Sequence, residues 1–109
     1  MIWSRYILGM RMFLDDIRNP PDEDWVVVRN FDEAIAHIED NGCPNFISFD
    51  HDLGDQFAKT GYDLAKWLVE TDLDCSGFLP EDFDFNVHSA NPVGAANIRA
   101  LLRSYLAQR

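Results

Sequence analysis

Three short apolar runs in this chain each stop abruptly at a cluster of polar, chemically capable side chains, and that pattern limits the fold more than any other feature. Residues 11–14 end at Asp15-Asp16, residues 46–49 end at Asp50-His51-Asp52, and residues 85–88 end at His88-Ser89. Runs of this length, flanked by turn-forming residues and followed by amphipathic stretches, read as buried strands of a wound α/β sheet. If the strands are parallel, their polar ends emerge together at the carboxyl edge, where open α/β sheets bind ligands.

The intervening segments supply the helices. Asn30 stands three residues before Glu33 in a capping-box variant, and Ala34, Ile35 and Ile38 form the buried stripe of a helix that stops at Asn41-Gly42. Thr60 and Asp63 repeat the capping pattern, with Leu64, Ala65, Leu68 and Val69 as the inward face. Asn91 is expected to cap a terminal helix with Pro92 in its first turn, and Ile98, Leu101, Leu102 and Tyr105 mark its core side. A long acidic connection is expected over residues 71–84, and His37 is expected on a solvated helix face. A further strand is predicted over residues 25–29. Only about ten residues, including Pro20 and Pro21, separate it from the first strand, too few for a normal helical crossover. Either that pair is antiparallel or its helix has shrunk to an irregular loop.

These elements predict one α/β domain over residues 1–109. It has a mostly parallel, three-layer sheet of about four to five strands with about three helices. The length suffices for a core without disulfide staples. Residues 1–9 are aromatic and apolar but too short for a secretory signal, and they read as an N-terminal extension. No apolar run approaches the roughly 18 residues of a membrane span. Cys43 and Cys75 have no metal-ligand spacing and are expected as reduced thiols in a cytoplasmic setting. The net charge of −10 argues against a broad grip on nucleic acid, because that grip rests on Lys and Arg neutralising phosphates.

Chemistry concentrates at the strand ends. Asp15, Asp16, Asp50 and Asp52 are four like charges, and they repel one another unless some are protonated or a cation neutralises them. Mg2+ or another hard divalent cation prefers oxygen ligands, so a metal site is expected. Strand alternation would place Asp50 and Asp52 on one side and His51 on the other, which favours that Asp pair as joint ligands. His51 and His88 are candidate acid and base residues. Ser89 and Asn91, and Thr60 and Gly61, mark two helix starts suited to an anion, and Arg18 can grip a phosphate or brace a carboxylate.

The acid pair after the first strand and the Asp after the third resemble the response-regulator receiver domain, although no Lys follows a fifth strand and the first helix is reduced or missing. A fuller resemblance covers the chain from Met12 onward. Leu14-Asp-Asp-Ile-Arg18 with Pro20, Ser48-Phe-Asp-His-Asp-Leu-Gly54, Thr60-Gly-Tyr-Asp63 and Val87-His-Ser-Ala-Asn-Pro92 are similar to the receiver-like family named for cyclic-phosphate processing, found in bacteria and phages. That resemblance implies a modified receiver (flavodoxin-like) fold and action on cyclic phosphate or phosphoester ends of RNA or nucleotides. It implies that Asp50 is a metal ligand rather than a phosphorylation target. Two other classes fit parts of the pattern: a Toprim-like Mg-dependent nucleic-acid enzyme, separable by strand order, and a non-catalytic module that binds a phosphorylated ligand or a protein.

Overall fold

The computed structural model describes residues 10–109; the expected extension over residues 1–9 lies outside the described residues. The elements run β1 (Arg11–Leu14), β2 (Val26–Val28), α1 (Phe31–Asn41), β3 (Phe46–Phe49), α2 (Gly61–Asp74), β4 (Asp84–Val87) and α3 (Pro92–Gln108). The strands form one sheet in the order β2-β1-β3-β4, and every adjacent pair is parallel. This is the order of flavodoxin-like sheets. The β1–β2 connection is the irregular loop, not an antiparallel turn.

Chirality explains where the helices lie. The β2-α1-β3 and β3-α2-β4 crossovers advance across the sheet in one direction, so right-handed connections place both helices on the same face. The β1-to-β2 step runs the other way, so the helix missing there is the one that would cover the opposite face. The core accordingly joins Met12, Leu14, Val28, Ile47 and Phe49 to Ala34 and Ile38 of α1, Leu64, Ala65 and Leu68 of α2, and Ile98 and Leu102 of α3. On the opposite face, Phe13, Ser48 and Asn86 stand side by side in register across β1, β3 and β4.

The caps form largely as the sequence predicts. Asn30 accepts from the Glu33 amide, although the Glu33 side chain reaches back to the Arg29 amide rather than to that of Asn30. Thr60 and Asp63 make the reciprocal capping box, and Asn91 accepts from the Gly94 amide. Three boundaries differ. The second strand is shorter than expected because Trp25 turns its ring edge-on to Phe13 and Phe46 and Arg29 turns toward the loop after β1. The fourth begins one residue earlier, while the His88 amide extends its ladder to the Phe49 carbonyl at 2.9 Å. Helix α2 runs through Asp74, into the segment expected as a connection, because Thr71 satisfies its hydroxyl on the Trp67 carbonyl at 2.7 Å and stays helical.

Beyond α2, the buried Asp72 accepts from the Leu79 amide at 2.9 Å and the Tyr105 hydroxyl at 2.7 Å, with Arg109 3.5 Å away, and so ties the following connection to α3. Burial opposes ionisation of Asp72, but these donors outweigh it and hold the carboxyl below its ordinary range. His37 is half-buried rather than solvated, with its Nδ1 3.4 Å from Asn41 Nδ2. Both cysteines are free thiols, Cys43 half-buried and Cys75 exposed. No helix among the described residues is long and apolar enough to cross a membrane.

Candidate metal and phosphate site

Asp15 and Asp50 follow the two central strands, and the backbone ladder holds them in place: the Asp15 amide donates to Val28 O and the Asp50 amide to Leu14 O. Because β1 and β3 are neighbours in parallel register, the two carboxyl groups come together without any contribution from loop flexibility. Asp16 completes the group, and one oxygen from each of Asp15, Asp16 and Asp50 lies within 4.8 Å of the others. Asp16, Ile17, Arg18, Asp50, Asp52, Gly54, Ser89 and Ala90 line a cleft at this edge.

Asp15 is fully buried, and its four acceptor positions are engaged. Its Oδ1 accepts from the Ile17 and Arg18 amides at 2.9 and 2.8 Å, while Oδ2 faces Arg18 Nε and His88 Nε2, each at 3.0 Å. Burial pushes its pKa up, but the two amides, His88 and the Arg18 guanidinium outweigh burial and leave it lowered. Asp50 goes the other way. Burial raises it and so does the charge of Asp15, more than the Ser89 hydroxyl, the His51 amide and Arg18 lower it. The two adjacent carboxylates thus move in opposite directions, Asp15 lowered by its donors and Asp50 raised first by burial and also by the Asp15 charge.

The residues fit a divalent cation. Asp16 and Asp50 present carboxylate oxygens beside Asp15, and oxygen donors suit a hard cation, which would offset the burial and the Asp15 charge that raise Asp50. Asp52, expected as a joint ligand with Asp50, does not belong to this group. The strand ends at Phe49, so alternation does not extend through residue 52, and Asp52 instead faces His51 Nδ1 at 2.9 Å and Asn91 Nδ2 at 3.3 Å. The hydrogen bond from His51 leads the causes that hold Asp52 below its ordinary pKa.

The two histidines do not converge. His51 packs against the start of α3, where Gly94 has no side chain: a Cβ there would stand 2.3 Å from His51 Cγ. An ionised Asp52 can only accept from Nδ1, which leaves Nε2 as the nitrogen free to take a proton. His88 lies on the opposite face of the sheet, stacked on Phe13 with ring centroids 4.4 Å apart. Its Nε2 donates to Asp15, its Nδ1 is 2.7 Å from Ser48 Oγ, and Ser48 in turn bonds Asn86. Both ring nitrogens are occupied, so His88 braces Asp15 where the sequence suggested a proton donor to substrate.

Thr60 and Gly61 are likewise engaged elsewhere. Thr60 is spent on the capping box, the Gly61 amide donates to His51 O at 2.8 Å, and neither lines the cleft. A Cβ on Gly61 would lie 1.9 Å from the Asp50 carbonyl oxygen, so glycine here lets α2 abut the strand end. Arg18 and Ser89 do line the cleft; neither His51 nor His88 does, and His51 and Asn91 reach it only through Asp52.

Other contributors escaped the sequence reading. Arg29 donates to the carbonyls of Asp15 and Arg18 and to Asn19, clamping the loop that carries the acid pair. Ser48, a polar residue inside an apolar run, and Gly94, a glycine in a first helical turn, are the signals the sequence did offer. Arg29 offered none before its direction was known.

Comparison with known proteins agrees with this geometry. Neither a curated protein nor a solved structure matches the chain. The profile of the cyclic-phosphate processing receiver domain matches residues 10–104, from the residue before β1 into the last turns of α3. A parallel 2-1-3-4 sheet with acids at its central strand ends, matched along nearly its whole length, makes this chain a member of the cyclic-phosphate processing receiver domain family.

Proposed function

We propose that the cleft binds a phosphoester and, with a divalent cation, hydrolyses or opens a cyclic phosphate at the end of a nucleotide or RNA. The observation that carries this reading is the convergence of Asp15, Asp16 and Asp50 beside Arg18 and Ser89 at the carboxyl edge, in a chain of this family. Three acids alone would repel a phosphate. A cation held by Asp16 and Asp50, with Asp15 beside them, would supply positive charge for the phosphoryl oxygens and the departing oxygen.

The chain's own groups have distinct tasks in this reading. Arg18, with Nε 3.0 Å from Asp15 and Nη2 3.7 Å from Asp50, is half exposed and lines the cleft, and its guanidinium would bind nonbridging oxygens there. Ser89 and the start of α3 hold the same group from the other side. His51, oriented by Asp52 and seated on Gly94, takes a proton from water through Nε2. Water oxygen bonds to phosphorus, one bond from phosphorus to a ring oxygen breaks, and the proton is delivered to that oxygen, leaving a phosphomonoester. His88, Ser48 and Arg29 hold Asp15 and its loop.

Turnover of nucleoside 2′,3′-cyclic phosphates by purified protein with Mg2+ tests the proposal. Activity is expected to fall in Asp50→Asn and His51→Ala and to vanish on chelation of the cation. Equal turnover in wild type, Asp50→Asn and His51→Ala would refute it. A second reading is supported by the saturation of Asp15 and His88 with protein partners: a static, non-catalytic phospholigand site. Tight phosphoester binding without any turnover would select it.

A further inference from the structure

Five large apolar side chains among the described residues are exposed, and three of them lie at the same carboxyl edge of the sheet as the acidic cleft. Ile17 is 78 % exposed on the loop after β1 and lines the cleft; Phe57 is 85 % exposed on the loop after β3; Val93 is 70 % exposed at the start of α3. The other two are elsewhere, Val27 within β2 and Leu73 near the end of α2 that points away from this edge. Exposure of this kind costs solubility and calls for an occupant when it clusters. A polar cleft with apolar side chains beside it on one edge is the reverse of a protein–protein interface, which buries an apolar centre inside a polar rim. It is the layout of a small-ligand site, with polar groups fixing one part of the molecule and apolar groups covering the rest.

Charge narrows the occupant. At net −10 the chain cannot draw affinity from a run of phosphates, so any nucleic-acid ligand must be held at one terminal phosphate and by its base. Phe57 sits on a tight turn in which its amide donates to Asp55 Oδ1 and the Ala58 amide to Asp55 O; Gly54, at the base of that turn, is part of the cleft wall. The turn is thereby anchored at the cleft while its aromatic ring faces solvent. From these observations we infer that Phe57, with Ile17, is the base-binding element of the site, so that the ligand is a nucleoside phosphate or a single-stranded RNA end rather than a base-free phosphoester. This rests on the phosphoester reading above and assigns the part of the site that holds the base. An aromatic ring accepts any base, so the preference is for a base over none, not for one base over another.

The test compares binding of adenosine 2′,3′-cyclic phosphate and ribose 2,3-cyclic phosphate by NMR titration in Mg2+, with turnover followed separately. Wild type is expected to bind the adenosine compound tighter by roughly 5- to 150-fold, the range that stacking of one base on one ring supplies. Phe57→Ala is expected to abolish that difference without changing affinity for the ribose compound, and Phe57→Trp to restore it. At 85 % exposure neither change threatens folding, which thermal melts verify. Equal binding of the two compounds by wild type, or an undiminished preference in Phe57→Ala, overturns the assignment alone and leaves these apolar side chains to a protein partner. Failure to bind either compound overturns the phosphoester reading with it.

Discussion

Replacing Gly94 with alanine is the sharpest test of how His51 is held. The added methyl carbon would stand 2.3 Å from His51 Cγ, 2.5 Å from Cδ2 and 2.7 Å from Nδ1, whereas carbon atoms pack at about 3.5–4.0 Å. Relief therefore requires the ring to move by roughly 1 Å or more, and the 2.9 Å bond from Nδ1 to Asp52 does not survive such a shift. Overpacking of this kind costs about 1–3 kcal/mol, and alanine recovers up to about 1 kcal/mol of helix propensity. Net destabilisation should be about 0–3 kcal/mol, so the variant folds. A misplacement of about 1 Å is nonetheless enough to cost on the order of 100-fold in rate. Thermal melts give the stability term, imidazole 15N spectra report whether Nδ1–H still bonds Asp52, and turnover of a nucleoside 2′,3′-cyclic phosphate reads the consequence. A Gly94→Ala protein with unshifted His51 ring signals would refute the packing argument. Shifted signals with full turnover would refute the role of His51.

At Gly61 the same substitution meets a backbone carbonyl at 1.9 Å instead of a movable ring, so Gly61→Ala should cost at least about 3 kcal/mol in urea unfolding; a smaller loss would mean that α2 slides freely on the strand end. Asp15 and Asp72 are lowered, so their contribution is present above the ordinary carboxylate pKa and is lost as pH falls through their folded values, whereas raised Asp50 stabilises at low pH and loses that contribution as pH rises through its own. Asp50→Asn should therefore raise stability at neutral pH without divalent cations, by about 0.5–2 kcal/mol, and abolish the Tm increase that Mg2+ gives wild type; a Mg2+ response that survives would place the cation elsewhere. Tyr105→Phe removes a bond to the ionised Asp72 and should cost about 1.5–3 kcal/mol with turnover unchanged, and coupled loss of turnover would contradict a purely structural role. Burial, with the nearby Asp72 charge, pushes the Cys43 thiol up to about 12, so iodoacetamide at pH 8 should label Cys75 alone in mass spectra, and rapid labelling of Cys43 in the folded protein would contradict its burial.

The sequence by itself determined the elements and the place of the site. Alternation between apolar runs and capped amphipathic stretches is a local property, and so the three helices, their caps and the strand ends carrying Asp15, Asp16 and Asp50 were legible in it. A mostly parallel sheet was expected from the same alternation, but the pairing of β1 with β2 stayed open between antiparallel and parallel until the structure showed it parallel. What only the tertiary structure decided were relations between segments distant in the chain. Asp52 was read by strand alternation as a partner of Asp50, but the ladder stops at Phe49 and the chain turns Asp52 toward His51 and Asn91 instead. His88 and His51 follow different strands at one edge, yet they fall on opposite faces of the sheet because a side chain's face depends on register, which no single segment contains. The row Phe13-Ser48-Asn86 beneath His88, the clamp of Arg29 on the acid loop and the glycines that admit His51 and α2 exist only once the strands are paired. Local sequence specifies which groups arrive at the edge, while long-range packing specifies which of them face one another, and chemistry depends on the second.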